Sequence, residues 1–209
     1  MHRRTAIAAV AVALTAGQTM PVSAAAFGGP ANADFEACDT SDWTISGTAF
    51  SVTRETTWWG GTYDQHGACF LSGYLTNQDA GTGSARSSTF TATDELSFLI
   101  AGGWDPQHLY VQLVRASDGA VLDRQTGYNS EQLARITWDT AAVRGQSVYL
   151  QAVDTATGGW GHLNLDDVRT SNVDDAGTGL TARRLGSARQ PAVTYRSARS
   201  RYAADPLRP

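Results

Sequence analysis

Leu109-Tyr110-Val111-Gln112-Leu113-Val114-Arg115, followed by Ala116-Ser117-Asp118-Gly119 and then Ala120-Val121-Leu122-Asp123-Arg124-Gln125-Thr126, is the stretch on which the architecture turns. Leu109, Val111 and Leu113 alternate with Tyr110, Gln112 and Val114, the period of two that marks a strand with one buried face. Asp-Gly between two such runs is a strong hairpin signal. The same alternation returns where Val148, Leu150 and Ala152 interleave with Tyr149, Gln151 and Val153, and where residues 95–101 place Leu96, Phe98 and Ile100 on one face. Shorter runs at 70–75, 87–91, 133–138 and 163–168 bring the expected set to eight or nine strands. No segment carries a helical stripe, although 140–144 can make one turn. Gly81-Thr82-Gly83 has no following Lys and reads as a plain loop. Many short strands joined by Gly-rich turns predict an all-β, antiparallel β-sandwich of the jelly-roll kind.

The two ends differ from this middle. His2, Arg3 and Arg4 precede a weakly apolar Ala/Val run, and Val22-Ser23-Ala24 supplies small residues for cleavage. That layout predicts a secretory signal peptide over residues 1–26. A membrane anchor needs about 20 continuous apolar residues, and Gln18, Thr19 and Pro21 interrupt the run too early. The mature protein is therefore expected outside the cell, with no membrane contact after cleavage. From Thr170 onward Ser, Thr, Asp, Gly, Ala and Arg crowd together, a composition too poor in apolar surface to offset its ordering entropy. Residues 27–170 are read as the folded module and 171–209 as a linker toward a further domain.

Between residues 27 and 173 stand 17 acids and 7 arginines, a net of −10. Such a surface argues against nucleic acid, which requires clustered cations, and tolerates neutral sugars and divalent cations. The chain has no lysine. Its two cysteines, Cys38 and Cys69, suggest a disulfide in an exported protein. Closing a loop of about 30 residues would stabilise the fold by roughly 3–4 kcal/mol. Two buried thiols are the alternative.

Several segments resemble a known family. Residues 157–168, Thr-Gly-Gly-Trp-Gly-His-Leu-Asn-Leu-Asp-Asp-Val, resemble the terminal strand of galactose-binding-like jelly-roll modules attached to bacterial fructan hydrolases. Asp34-Phe35-Glu36 with Ser41-Asp42-Trp43 resembles their first strand, and 97–103, 109–115 and Trp138-Asp139 fit the middle. The parent enzymes are similar to levanases and other members of glycoside hydrolase family 32, and the module to carbohydrate-binding module family 66. Asp205-Pro206-Leu207-Arg208-Pro209 resembles the approach to that family's catalytic propeller. The family's catalytic Asn-Asp-Pro-Asn segment and its other two acidic motifs do not occur in the chain.

Candidate site residues follow from loop chemistry. Trp160 and His162 sit in a Gly-rich loop, where glycines let backbone approach a ligand closely. An indole can stack on a sugar ring and an imidazole can bond its hydroxyls; equally, Trp160 can plug the core and His162 can be a structural partner. Trp104 and Asp105 follow Gly102-Gly103, and Glu131 belongs to a second polar loop, Tyr128-Asn129-Ser130-Glu131. Arg135, four residues on, is expected to pair with Glu131. Asp105, Glu131 and Arg135 are sugar-gripping candidates, the alternative being a solvated surface ion pair. Trp58 and Trp59 are expected on opposite faces of a strand, one core and one exposed.

Asp166 and Asp167, also on opposite faces, make a poor acid/base pair for glycoside cleavage. One of them, with Glu36 from the first strand, can supply hard oxygen ligands for a structural Ca²⁺, as many jelly-roll sugar modules do. Solvated turn acids are the alternative. Zincin, Walker and nucleophile-elbow motifs are missing from the sequence. The expectation is a non-catalytic module that binds levan or inulin and works beside its own downstream catalytic domain. A structural accessory that packs on that domain without binding sugar is the second reading.

Overall fold

The computed structural model describes residues 29–171. The leader read over 1–26 lies outside the described residues, as does the linker read over 171–209 apart from Ser171, which ends the last strand. Thirteen strands follow in order: β1 (Trp43–Gly47), β2 (Ser51–Thr53), β3 (Thr57–Trp58), β4 (Gly61–Thr62), β5 (Phe70–Ser72), β6 (Gly83–Ser87), β7 (Phe90–Thr91), β8 (Glu95–Gly102), β9 (Leu109–Arg115), β10 (Val121–Gln125), β11 (Ser130–Asp139), β12 (Ser147–Asp154) and β13 (Leu163–Ser171).

The strands pair antiparallel throughout, into two sheets and a hairpin. One sheet runs β1-β6-β12-β9-β10, with β7 also on β12; the other runs β11-β8-β13-β5-β2; β3 and β4 pair with each other. The fold is all-β and antiparallel, as the alternating pattern predicts. β9 occupies the expected residues, and its turn into β10 places Gly119 at φ 73°, a conformation glycine adopts without the penalty other residues meet. The turn expected at 140–144 is a single 3-10 turn at Ala141–Val143. Two readings shift. The strand expected at 87–91 is split, because β6 starts at Gly83 inside the supposed loop and β7 begins only at Phe90. Glu36 lies in a turn ahead of β1, not on the first strand.

The inward positions of both sheets meet in one core. Val111, Leu113, Val148, Leu150, Leu96, Phe98, Ile100, Leu163 and Leu165 are all buried there, with Trp138 packed edge-on to Phe98 at 4.7 Å. Each such side chain contributes about 1.5–3 kcal/mol by leaving water. A second, smaller cluster covers the outer face of the second sheet: Tyr63, Phe70, Leu99, Ala101 and Leu133, with Trp58 packed against it. The β3–β4 hairpin therefore lies over that sheet. The Cys38–Cys69 disulfide, with Cα atoms 5.4 Å apart, ties its return to the N-terminal turns.

Candidate functional site

At one end of the sandwich three loops converge. They are the β8–β9 loop (103–108), the β10–β11 link (126–129) and the β12–β13 loop (155–162). Their backbones touch. Gly103 N–H donates to His162 O at 2.9 Å, and the Tyr128 and Asn129 N–H groups donate to Gly102 O at 3.1 and 2.8 Å. A Cβ on Gly103 would lie 1.9 Å from Trp160 O, so only glycine allows this approach. Trp104 N–H donates to Asn129 Oδ1 (2.8 Å) and Asp105 N–H to Thr126 Oγ1 (3.0 Å), which fixes the second loop against the first.

Between these loops lies an open groove of about 850 Å³, lined among others by Trp104, Asp105, His108, Asn129, Thr157 and Trp160. Trp104 is 65% exposed and Trp160 39% exposed. Trp160 adopts φ 65° and stacks on His162, with centroids 5.9 Å apart and planes 23° apart. Asp105 Oδ2 pairs with His108 Nδ1 at 2.8 Å, and the hydrogen bond from His108 holds the Asp105 carboxyl below its usual range. Two indoles, one carboxylate–imidazole pair and the amides of Gln107 and Asn129 make a lining suited to a hydroxyl-rich ring, which needs apolar stacking and bidentate polar grips.

The structure brings Trp104, Asp105 and Trp160 together in this groove. His108 and Asn129 stand there too, although sequence reasoning did not single them out; the three-residue step from Asp105 to His108 was the available signal. His162 and Glu131 lie beneath the groove instead of in it. His162 is 2% exposed; its Nδ1 meets Asp79 Oδ1 at 2.6 Å and its Nε2 meets Glu131 Oε1 at 2.8 Å. Glu131 Oε2 accepts from Asn164 Nδ2 at 3.0 Å, and Asn164 Oδ1 accepts from Gly73 N–H at 3.2 Å. Burial works against the imidazolium, but the bonds and charges of Glu131 and Asp79 outweigh it and raise the His162 pKa. Asp79 O also accepts from Gly158 N–H at 3.2 Å. A buried charged network thus holds the Trp160 loop from below.

Arg135 does not meet Glu131. Four residues of extended strand span about 13 Å, and β11 is bulged between Ser130 and Ala134. Arg135 instead donates through Nη1 to Asp167 O at 2.6 Å and pairs with the Asp167 carboxylate, which Arg169 Nη2 also meets at 2.6 Å. Burial works against the Asp167 charge, yet Arg169 and Arg135 hold its pKa below the usual carboxylate range. Asp166 and Asp167 are both buried, not turned to opposite faces: Asp167 takes φ 47° at a bulge in β13 and donates its N–H to Asp166 Oδ1 at 2.7 Å. Asp166 Oδ2 accepts from His66 N–H at 2.6 Å. Glu36 Oε1 accepts from the Ala68 and Cys69 N–H groups at 2.8 and 3.0 Å. Burial foremost, with the charges of Asp167 and Glu36, pushes the Asp166 carboxyl up to about 8. Among the described residues no group of three or more His, Cys, Asp or Glu is arranged to hold a metal.

No family model matches the chain. Among curated proteins, "Putative glycosyl hydrolase ecdE" of Aspergillus rugulosus is 35% identical over 97 residues, which is 46% of this chain and 14% of that protein. The chain thus matches about a seventh of its relative's length. Among solved structures, TmCBM61 in complex with β-1,4-galactotriose superposes with a TM-score of 0.47 at 15% identity, covering 66% of this chain and 94% of that one. The K2 cleaved adhesin domain of Lys-gingipain gives 0.47 at 14% identity, covering 66% and 96%. The CBM22-1 xylan-binding domain from Paenibacillus barcinonensis Xyn10C gives 0.37 at 15% identity, covering 67% and 92%.

Proposed function

We propose that residues 27–170 form a non-catalytic carbohydrate-binding module that concentrates a secreted glycoside hydrolase on fructan, levan or inulin. The observation that carries the binding function is the groove in which Trp104 and Trp160 face a shared space with Asp105–His108 and Asn129. Asp105 is the one carboxylate in that lining, whereas glycoside cleavage uses two carboxyls about 5–9.5 Å apart. The curated relative, a glycosyl hydrolase by its printed name, supports the enzyme context, and the family 32 resemblance supports the choice of fructan. Affinity for one sugar site should be weak, about 10 μM to mM, because little area is buried and hydroxyls must be desolvated. Tethering then raises the local substrate concentration for the attached enzyme.

The test is calorimetric titration of the whole chain with levan, inulin and fructose. Saturable heat lost in Trp160→Ala and in Trp104→Ala, at unchanged Tm, is the expected result. No heat with any fructan overturns the fructan assignment. The accessory reading, in which the domain packs on a catalytic partner, is favoured by one observation: Trp59, 96% exposed at the tip of the β3–β4 hairpin, presents an indole to solvent.

The proposal includes a structural Ca²⁺. Glu36 and Asp166 fit it, since two neighbouring carboxylates, one fully buried, repel each other unless a cation or proton lies between them. Asp167 does not fit, because its carboxylate is committed to Arg135 and Arg169. The ion would draw its remaining ligands from backbone carbonyls and water and would fasten the N-terminal turns to β13. A Tm that rises with Ca²⁺ and falls with chelator is expected, and a Tm indifferent to both overturns this part.

A further inference from the structure

The outward face of the first sheet carries a row of planar side chains in register. Arg86 on β6 stands opposite Gln151 on β12, Gln151 opposite Gln112 on β9, and Gln112 opposite Arg124 on β10. Gln112 Nε2 donates to Gln151 Oε1 at 3.0 Å, and Arg124 Nη2 donates to Gln112 Oε1 at 2.8 Å. Each guanidinium sits over a ring, Arg86 over Tyr149 and Arg124 over Tyr110, both with Cζ 3.8 Å from the centroid. The two arginines remain exposed while Gln112 is 9% exposed, so the row is a fixed structure and not a fringe of mobile side chains. Three strand spacings set the backbones of the two arginines about 14 Å apart.

Cross-strand pairs of this kind stabilise any sheet modestly, and that alone would explain the stacking. Charge placement goes further. The domain carries a net of −10, and four of its other five arginines answer that charge directly: Arg115 pairs with Asp118, Arg135 and Arg169 with Asp167, and Arg144 with Asp94, while Arg54 stands off this sheet in the link after β2. Arg86 and Arg124 form no ion pair among the described residues. No outward position on β1, β6, β12, β9 or β10 holds an acid; Asp123 stands opposite the inward-facing Leu113. The face is thus a cationic plane on an acidic body.

We propose that this plane is a second binding surface, separate from the groove, for a polysaccharide bearing carboxylates, such as a uronic-acid polymer. A stacked guanidinium presents its N–H edge to solvent in the fork geometry that grips a carboxylate bidentately. Two such forks at this separation suit a polymer and not a single ring. A protein partner fits less well, because protein interfaces need an apolar core and Val121 is the one large exposed apolar side chain on this face. The domain's distant acids do not veto the contact, being screened beyond about 8 Å at physiological salt.

The test is titration of the full chain with polygalacturonate and alginate at about 0.15 M salt, beside neutral dextran and dextran sulfate. Binding to the uronates but not to dextran is expected, weakened about tenfold or more in the double variant Arg86→Gln/Arg124→Gln with Tm little changed. Trp160→Ala should leave it intact, so failure of the groove reading and failure of this one are distinguishable. The inference is overturned if no uronate binds, if the double variant binds as well as the parent, or if dextran sulfate binds equally. It is also overturned if the parent is a dimer that the double variant dissociates, which would make the face a contact for the acids of a second copy.

Discussion

Asp154 is the sharpest test of the electrostatics beneath the groove. It ends β12 with zero exposure, its Oδ1 accepts from Ala156 N–H at 3.2 Å, and its Oδ2 has no partner among the described residues. Burial lifts its carboxyl to about 7; Ala156 N–H and the His162 charge oppose that rise, and the Asp79 charge assists it. The unfolded chain releases this proton near pH 3.9. Between about pH 4 and 7 the folded chain holds a proton that the unfolded chain has lost, so stability falls as pH rises through that window. About three units at about 1.4 kcal/mol each set an upper figure of about 4 kcal/mol.

Asp154→Asn abolishes this dependence while keeping an oxygen for Ala156 N–H. It also installs an amide donor without a partner, at a cost of about 1–3 kcal/mol. At pH 8 the variant should therefore be more stable than the parent by about 1–3 kcal/mol, or roughly 3–10 °C in Tm for a domain of this size. At pH 4 it should be equal or less stable, so the two Tm–pH curves cross. Thermal melts followed by circular dichroism from pH 4 to 8 read this directly. In chelator Asp166 also lowers stability as pH rises, equally in both proteins; His162 does so too, altered in the variant only by the loss of its charge coupling to Asp154. Parallel curves with no crossing would refute the assignment of a buried, proton-holding Asp154.

Three further outcomes follow from the same geometry. His162→Ala should cost about 3–5 kcal/mol in chemical denaturation, since it leaves Glu131 and Asp79 without their shared buried partner, and should weaken glycan binding because Trp160 loses the ring it rests on. Gly103→Ala should lower Tm by several degrees and widen the loop, because the new Cβ meets Trp160 O; amide exchange at residues 103–108 and 155–162 should accelerate. Reduction or Cys38→Ser should cost about 2–5 kcal/mol, read as a drop in urea midpoint, whereas Trp59→Ala should stay within about 0.5 kcal/mol.

The fold was legible wherever one residue's neighbours in sequence are also its neighbours in packing. Strand alternation is such a property: β12 follows it throughout, and β8 and β9 place their expected residues in the core, whereas the bulge in β13 breaks it at Asp166–Asp167. The split of 87–91 into the end of β6 and a separate β7 was not legible. Ser84 and Arg86 face solvent on a polar strand, and their pairing to β1 and β12 is decided by partners more than 35 residues away. The disulfide was legible because two cysteines leave one pairing.

The site divides along the same line, and the division says which residues a sequence reader should distrust. Trp104, Asp105 and Trp160 reached the groove because a glycine-rich turn at a strand end exposes whatever large side chain it carries. His162 looks equivalent on paper, two residues from Trp160, yet the direction of its ring is decided by Asp79 and Glu131, 83 and 31 residues away. Arg135 was assigned to Glu131 by a spacing that brings side chains together on a helix but not along a strand. A polar side chain's role depends on long-range partners because each buried donor and acceptor must be matched, and a match can come from any strand. An exposed aromatic needs no such partner. Loop aromatics are therefore the safer residues to carry from a sequence into a binding site, and charged residues at strand ends are the ones whose roles only the packed structure decides.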